Sequence, residues 1–474
     1  MNAPHNNQNL NLFWFRRDLR VNDNHGLYKA LIAGPTICCF IWDKEILSQL
    51  GNDNPRVKFI EESILTLKTT LNQYNSDLQI CYGNTDSEII KLIQQHNISN
   101  IYVNEDYEPE TIKRDEKIAA ILQKKQISFN LFKDQLIFAK KEILTQQHNP
   151  YTVFSAYKNS WYQKFAATKL AYYPSEQFLH NLVQTKFFNP NLDFLKSFSK
   201  ISPLNGGEYE ANERLLNFIN NDNLKNYKIT RDYPALNSSS YLGVDLRFGT
   251  ISIRKLVQIA EAQASSGSEI WLNELIWREF FSQILYNFPS VVKQSFRKEY
   301  QQLKYLNQNS HWQAWCQGKT GVPIVDAGMR QLNQTGFMHN RVRMICASFL
   351  CKDLLISWQW GERYFAQKLL DYDLASNNGN WQWCSSTGCD AQPFFRIFNP
   401  YLQSEKFDPE GQYIRKYLPE LKQLNNKEIH KPSQVSLEKL INYPKPIVNH
   451  AIQVKLAKIM FLDAKKENTN ASVK

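Results

Sequence analysis

LNLFWF at residues 10–15 is an unbroken apolar run, and runs of the same kind follow at 36–42 (TICCFIW), 78–83 (LQICYG), 100–106 (NIYVNED) and 127–133 (ISFNLFK). Short runs rich in aromatic and β-branched residues suit strands buried on both faces. Between the second and third runs, Val57, Ile60, Ile64, Leu67 and Leu71 recur at helical spacing. Strand and helix in alternation predict a βαβ series, hence an α/β domain with a doubly wound, mostly parallel sheet. No G-x-G-x-x-G accompanies it, so a dinucleotide fingerprint is not the reason for the fold. The GKT at 318–320 is no phosphate loop either, because Gln313 stands where the first glycine belongs.

Beyond this region the pattern changes. From about 140 to 200 the chain is rich in Asn, Lys and aromatics without clean periodicity and reads as a long connector. From Gly206 onward helical patterns dominate, as in GGEYEANERLLNFI and EIWLNELIWREFFSQIL, and no internal repeat is evident. The expected organisation is the α/β domain over 9–138, the connector over 139–204 and an all-α domain over 205–474. A polar cluster, NSSSYLG at 237–243, precedes one of the helical segments; such a loop can receive a phosphate, although serines there are more often plain caps.

At 474 residues the chain exceeds what one core supports, which again predicts two domains. Hydrophobic residues at 43% and charged residues at 21% describe a soluble globular protein. No stretch approaches the roughly twenty apolar residues of a membrane span. The polar start MNAPHNNQN has neither the basic nor the apolar region of a signal peptide. The eight cysteines form no C-x-x-C pair, and reduced thiols in a cytoplasmic protein without a metal centre are the simplest expectation. The net charge of +11 is unevenly placed: 15 basic against 16 acidic residues up to position 133, 41 against 29 beyond it. A basic second domain suits docking on a polyanion.

The segment Asp371–Pro400, DYDLASNNGNWQWCSSTGCDAQPFFRIFNP, is dense in carboxylates, amides and tryptophans. Asp373, Asn377 and Trp381 are four apart and share a face on a helix. A capping carboxylate and core-filling tryptophans account for any one of them; the cluster as a whole points to a ligand. In Trp271–Phe281 (WLNELIWREFF), Trp271, Glu274, Trp277 and Arg278 lie on one helical stripe. Such a stripe is ordinarily a half-buried helix face, but indoles beside a guanidinium also suit base stacking and phosphate binding.

The motifs FWFRRDLRVNDN (13–24), GGEYEANERL (206–215), WLNELIWREFF (271–281), GKTGVPIVDAGMRQLNQTGFMHNRVRM (318–344) and Asp371–Pro400 stand in one order, and on them the chain resembles the DNA photolyase and cryptochrome family from end to end. It is most similar to class I cyclobutane pyrimidine dimer photolyases. The resemblance implies one FAD per chain, folded back on itself in the α-helical domain and used, fully reduced and anionic, as a light-driven electron donor. Tyr227, Ser239, Ser240, Tyr241, Leu242 and Gly243 match the loop around the pyrophosphate, with Gly243 where the family usually has Ser. Trp271 and Arg278 join the cofactor set, Arg343 pairs with Asp371, Asp373 approaches the ribityl and isoalloxazine edge, and Asn377 faces flavin N5. A neutral amide there brings neither charge nor a readily lost proton.

By the same resemblance, Glu274, Trp277, Arg278, Asn340, Met344 and Trp383 surround a flipped-out pyrimidine dimer, photolyases being among the base-flipping enzymes. Trp277 and Trp383 supply apolar walls, and Glu274 hydrogen-bonds the thymine edge. Arg231, Arg278, Arg341 and Gln403 hold the DNA strand, fixing register rather than sequence. The relay that re-reduces the flavin is implied at Trp381 and Trp358, with Tyr305 at the outer position where a tryptophan is usual. Trp360 and Trp315 are alternative exits. The implied antenna is open among methenyltetrahydrofolate, a deazaflavin, a second flavin or none, since the folate-holding positions read Thr111, Val292 and Lys293 here and Glu108 or Glu110 would have to substitute.

Repair of cyclobutane dimers is expected over other activities. Enzymes of the (6-4) lesion carry histidines where this chain has Asn340 and Met344, plant and animal cryptochromes typically carry Asp and Cys where this chain has Asn377, and no long tail follows the last helical motif. A cryptochrome-type photoreceptor is the alternative, and an inactive FAD- and DNA-binding protein a third reading. One basic face scanning DNA makes a monomer the expected state.

Overall fold

The structure is a computed structural model describing residues 9–51, 54–189, 202–434 and 442–472, together with positions 192, 193, 195 and 198; side chains are described to 467. The first eight residues, much of the connector between 190 and 201, and 435–441 and 473–474 of the expected second domain lie outside the described residues.

Two compact units divide the chain. One comprises 1–149, 158–225 and 240–286, the other 150–157, 226–239 and 287–474. The division differs from the expected boundary at 138–205, because helices read as part of the second domain belong with the sheet. Ion pairs and caps fix them there. Glu208, at the start of the Glu208–Asn220 helix, accepts from the backbone N–H of Val21 and Asn22 at 2.9 and 3.2 Å. Arg254, in the Ile253–Gln263 helix, pairs with Asp23 and Asp134. Helical periodicity identifies a buried face, not the core that buries it.

In the first unit, β1 (Leu10–Phe15), β2 (Thr36–Asp43), β3 (Leu78–Gly83), β4 (Ile98–Asn104) and β5 (Ser128–Phe132) form one sheet in the order β3-β2-β1-β4-β5. Every pairing is parallel. The apolar runs of β1 and β2 are buried almost throughout, as a sheet covered on both faces requires. Strand order reverses between β1 and β4, the place where doubly wound sheets open a crevice. Here charged residues just past those strands pair with one another: Arg17 reaches Asp106 and Glu108 at 3.1 and 3.0 Å, and Arg16 reaches Asp115 at 2.7 Å. Deeper, Arg20 and Arg254 both hold Asp134 at 2.8 Å.

The expected connector is partly helical. Phe154–Ala166 is an α-helix and Ser175–Asn181 a 3₁₀ turn. Phe154, Tyr157, Trp161 and Phe165 recur at spacings of three and four, and the first three are buried. That aromatic stripe was the available signal. The Trp161 indole N–H donates at 2.8 Å to buried Glu279, which also accepts from the backbone N–H of Ile137 and Phe138.

The second unit is helical among its described residues. Its core gathers Trp315, Met329, Val342, Phe349, Trp358, Phe365, Trp381 and Tyr413. The Asn340–Ser348 helix passes into a π-helical turn, Phe349–Asp353, in which Leu354 N–H bonds to the Phe349 carbonyl at 3.0 Å. That turn carries Lys352 into the core. Its ammonium lies 3.7 Å from the Phe461 ring centre and donates to Ser386 Oγ at 3.0 Å.

Candidate functional site

The Leu374–Ser385 helix of the second unit begins at Asp373, whose carboxylate caps it by accepting from Ser376 N–H at 3.0 Å. Its buried side chains include amides as well as Trp381, so no apolar stripe announces it. Asn378 and Gln382 satisfy themselves on the Val291 carbonyl, each at 3.0 Å. Ser386 ends the helix in the left-handed region, φ 67°, and the N–H groups of Thr387 and Gly388 fold back onto the Gln382 carbonyl.

Asp373, Asn377 and Trp381 thus share one face. They line a cleft of about 520 Å³ with Asn340, Arg343, Met344, Phe365, Asp371 and Asn380 among others. Arg343 donates to both oxygens of Asp371 at 3.1 and 2.8 Å and to the Met338 carbonyl at 2.6 Å. Asn377 Nδ2 donates to the Glu362 carbonyl and to Glu362 Oε1 at 3.1 and 3.0 Å. With both N–H bonds used, the amide oxygen is what remains for a ligand. Burial raises the pKa of the Glu362 carboxyl. Aromatic side chains and polar, hydrogen-bonding ones line the cleft together, the mixed lining that cofactor pockets use. A planar heterocycle with a polyhydroxyl chain fits that donor and acceptor set, so the residues present suit a flavin.

Glu362 and Gly361 escaped the sequence reading. A Cβ at position 361 would overlap the outer ring of Trp381, so glycine permits that indole to lie against the Trp358–Lys368 helix. No pattern in WQWGERY marks either residue; only the packed structure does.

Four side chains named by the family match have surroundings that bear on the roles expected of them. Tyr305 was expected as an outer relay member. Its ring is partly exposed, but its hydroxyl is buried and has no hydrogen-bond partner among the described residues. Burial lifts that phenol well above its ordinary 10. Arg278 was expected on phosphate and cofactor, and its guanidinium donates instead to the Gln135 carbonyl at 2.8 Å and, more weakly, to that of Leu246. Glu108, a substitute candidate for folate, is occupied by Arg17 and Arg247, while Glu110 is exposed beside Lys113.

The remaining residues fall on both units, and each group stands within its own. In the first unit Trp271 is buried, whereas Glu274, Trp277 and Arg278 are half-buried along the Ser266–Asn287 helix. Tyr241 takes a positive φ of 57°, Ser240 Oγ accepts from Leu242 N–H at 3.4 Å, and Leu242 and Gly243 open the short Gly243–Phe248 helix. In the second unit Trp358 is buried, its N–H donating to Ser295 Oγ at 3.3 Å, and Trp383 and Gln403 are half-buried. Tyr227 lies under the Arg231 guanidinium at 5.6 Å, and Ser239 is half-buried. Arg341 stacks over Phe407 at 4.4 Å and pairs with Asp232 at 2.7 Å; Arg231 lies 3.8 Å from the same carboxylate. Asp232 is a further residue the sequence did not single out.

His339, next to Asn340, caps its helix by accepting from Arg341 N–H at 3.2 Å. Burial lowers its pKa to about 4, so it is neutral near pH 7.

Comparison with known proteins follows the same lines. Residues 11–175 match the family model described as DNA photolyase, and 271–461 match the FAD binding domain of DNA photolyase. The chain is 35% identical to the deoxyribodipyrimidine photo-lyase of Vibrio cholerae, covering 93% of this chain and 97% of the relative. It is 37% identical to that of a Synechococcus species, covering 95% and 96%. Among solved structures, a class III photolyase from Agrobacterium tumefaciens superposes with a TM-score of 0.88 at 32% identity, covering 98% of this chain and 99% of the other. A Sulfolobus tokodaii photolyase solved with two FAD molecules gives 0.79 at 36%, covering 96% and 100%. A Synechocystis cryptochrome gives 0.87 at 28%, covering 96% and 99%. No helix among the described residues is long and apolar enough to cross a membrane. An all-parallel sheet unit, a helical unit with a cleft of aromatic and polar lining and these matches over nearly the whole chain lead to one conclusion: the chain belongs to the DNA photolyase family, as a flavoprotein enzyme of DNA repair with its FAD-binding domain at 271–461.

Proposed function

We propose that the protein splits cyclobutane pyrimidine dimers in DNA under blue light. When bound, reduced FAD supplies a light-excited electron donor. The cleft contributes a neutral setting for it: Asn377, pinned by Glu362, offers a carbonyl acceptor, which suits a ring that carries an N–H in its reduced state. Asp373 accepts from hydroxyls, and the Arg343–Asp371 pair closes the polar end. Tyr227, Ser239, Ser240, Tyr241, Leu242, Gly243 and Trp271 complete the cofactor set. For the DNA side, the family match supplies Glu274, Trp277, Arg278, Asn340, Met344, Trp383, Arg231, Arg341 and Gln403 as the residues proposed to contact the damaged strand.

The observation that carries the lesion assignment is the pair Asn340 and Met344 at the cleft, with the imidazole of the neighbouring His339 withdrawn as a neutral cap. An acid step of the kind (6-4) repair needs has no donor there. The photoreceptor reading keeps one specific support, the likeness to the Synechocystis cryptochrome. Illumination of a UV-damaged oligo(dT) with reduced protein decides between them: absorbance near the thymine maximum should recover, and no recovery with reduced flavin present removes the repair reading. Recovery on a (6-4) substrate reassigns the lesion. We further propose a cytoplasmic monomer with a flavin antenna rather than folate. Glu108 is already paired, and the Sulfolobus relative holds two FAD molecules. The absorption spectrum of protein from its own host tests that choice.

A further inference from the structure

Electrons must reach the cleft from solvent if oxidised flavin is to be re-reduced, and the second unit contains a row of indoles that starts at Trp381 and joins the alternative exits Trp315 and Trp360 through Trp312, a residue the family match did not assign. Trp381, on the cleft wall, lies 6.2 Å from Trp315, centre to centre. Trp315 stacks on Trp312 at 5.4 Å with an interplanar angle of 19°. Trp312 meets Trp360 edge-on at 5.5 Å. Along this row burial falls outward: Trp381 and Trp315 are buried, while Trp312 and Trp360 are partly open to solvent. The implied route runs instead through Trp358 to Tyr305. Neither residue makes an aromatic ring contact among the described residues, and the Tyr305 hydroxyl has no acceptor for the proton a phenol must shed on oxidation.

We propose that this protein's reductive relay runs Trp381, Trp315, then the Trp312–Trp360 pair, and that Tyr305 is not its terminus. The inference rests on the flavoenzyme reading above. One electron leaves the outer indole and passes inward through Trp315 and Trp381 to the light-excited oxidised flavin, which gains it. The outer indole radical cation releases its N–H proton to the water that half-exposure provides. A small thiol in solution then restores the indole with one electron and one proton and becomes a thiyl radical, and two such radicals from two turnovers combine to one disulfide. An indole can hold its radical without a dedicated base, so a solvent-facing tryptophan suits the terminal position better than a sealed phenol.

The test is blue-light reduction of oxidised holoprotein with a thiol and no DNA, with the final radical identified by transient absorption. Trp312→Phe/Trp360→Phe and, separately, Trp315→Phe should slow flavin reduction at least about tenfold, a barrier change above about 1.4 kcal/mol. Tyr305→Phe should stay within about twofold of the parent, a change below about 0.5 kcal/mol. The final radical should be tryptophanyl. Because Trp315 is in the core, FAD content per chain is measured in each variant, and the half-buried double variant carries the result where Trp315→Phe does not fold. Unchanged reduction in the double variant, a tyrosyl final radical, or a tenfold loss from Tyr305→Phe alone overturns the proposal. Repair by the unmodified protein reduced with dithionite bypasses any relay, so its failure counts against the function and not against this route.

Discussion

Asp134 in the first unit and Lys352 in the second are equally hidden, at 2% and 0% exposure, yet they are held in opposite states. Burial pushes the Asp134 carboxyl up, but Arg20 and Arg254 outweigh it and hold the group at about 2. Lys352 has no carboxylate paired with it among the described residues; burial drives it from its ordinary 10.5 to about 7. Around Asp134 the first unit pairs its buried ions, Asp23 completing the set through Arg254. Along the Leu374–Ser385 helix the second unit buries neutral polar groups, Asn377, Asn378 and Gln382, whose hydrogen bonds end on carbonyls and on Glu362. A buried ion pair fixes geometry at the cost of a strong local field, whereas amides and indoles leave the field around a cofactor weak.

Breaking the paired side should have the largest effect. Asp134→Asn leaves two buried guanidinium groups without their carboxylate, and a loss of about 3–5 kcal/mol in urea unfolding is expected. The sign follows from the shift. A carboxyl held at about 2 when folded, against 3.8 when free, contributes stability that is full above 3.8 and lost as pH falls toward 2. The gap between parent and variant should therefore narrow on acidification. A variant within about 1 kcal/mol of the parent at pH 7 would mean that the arginines find other partners, and the contrast between the units would go with it.

Lys352→Met addresses the other side, with a smaller effect of different pH dependence. Between about 7 and 10.5 the unfolded chain keeps the lysine proton that the folded chain has released, so this residue makes the parent more stable as pH rises through that window. The variant lacks the titration. Thermal midpoints of the two should diverge in the variant's favour toward pH 6 and converge toward pH 10. If both curves keep the same slope, Lys352 is not the group responsible, and the second unit's core is less apolar than its indoles suggest.

Much of this was legible in the sequence, but unevenly. The strands at 10–15 and 78–83 match the apolar runs residue for residue, because a strand that is mostly buried has a composition few surface segments share. The helix at 374–385 was legible only through the four-residue spacing of Asp373, Asn377 and Trp381; its amides bury by hydrogen bonding and leave no apolar period. The Phe154–Ala166 helix carried an aromatic stripe that Asn and Lys neighbours obscured. Partnerships across long sequence separations, such as Asn377 with Glu362 or Asp232 with Arg341, leave no local signature at all. The same holds for the direction of the Tyr305 hydroxyl, which depends on packing around it.

Asp232 gives the finest comparison, because it pairs charge in the second unit away from any core. Its side chain is 34% exposed and that of Arg341 17%, so the pair is partly solvated and contributes little to folding. Its consequence is for DNA. A carboxylate 2.7 Å from Arg341 and 3.8 Å from Arg231 cancels part of the positive field that a phosphate would meet. Asp232→Asn removes the negative charge and keeps a hydrogen-bonding oxygen for Arg341. Affinity for a damaged oligonucleotide, titrated in the dark, should rise by less than about tenfold, and the dependence of log affinity on log salt should steepen by up to about one. Weaker binding would show that Asp232 orients Arg341 for the strand rather than masking it, which would make this surface pair as geometric in purpose as the buried ions around Asp134.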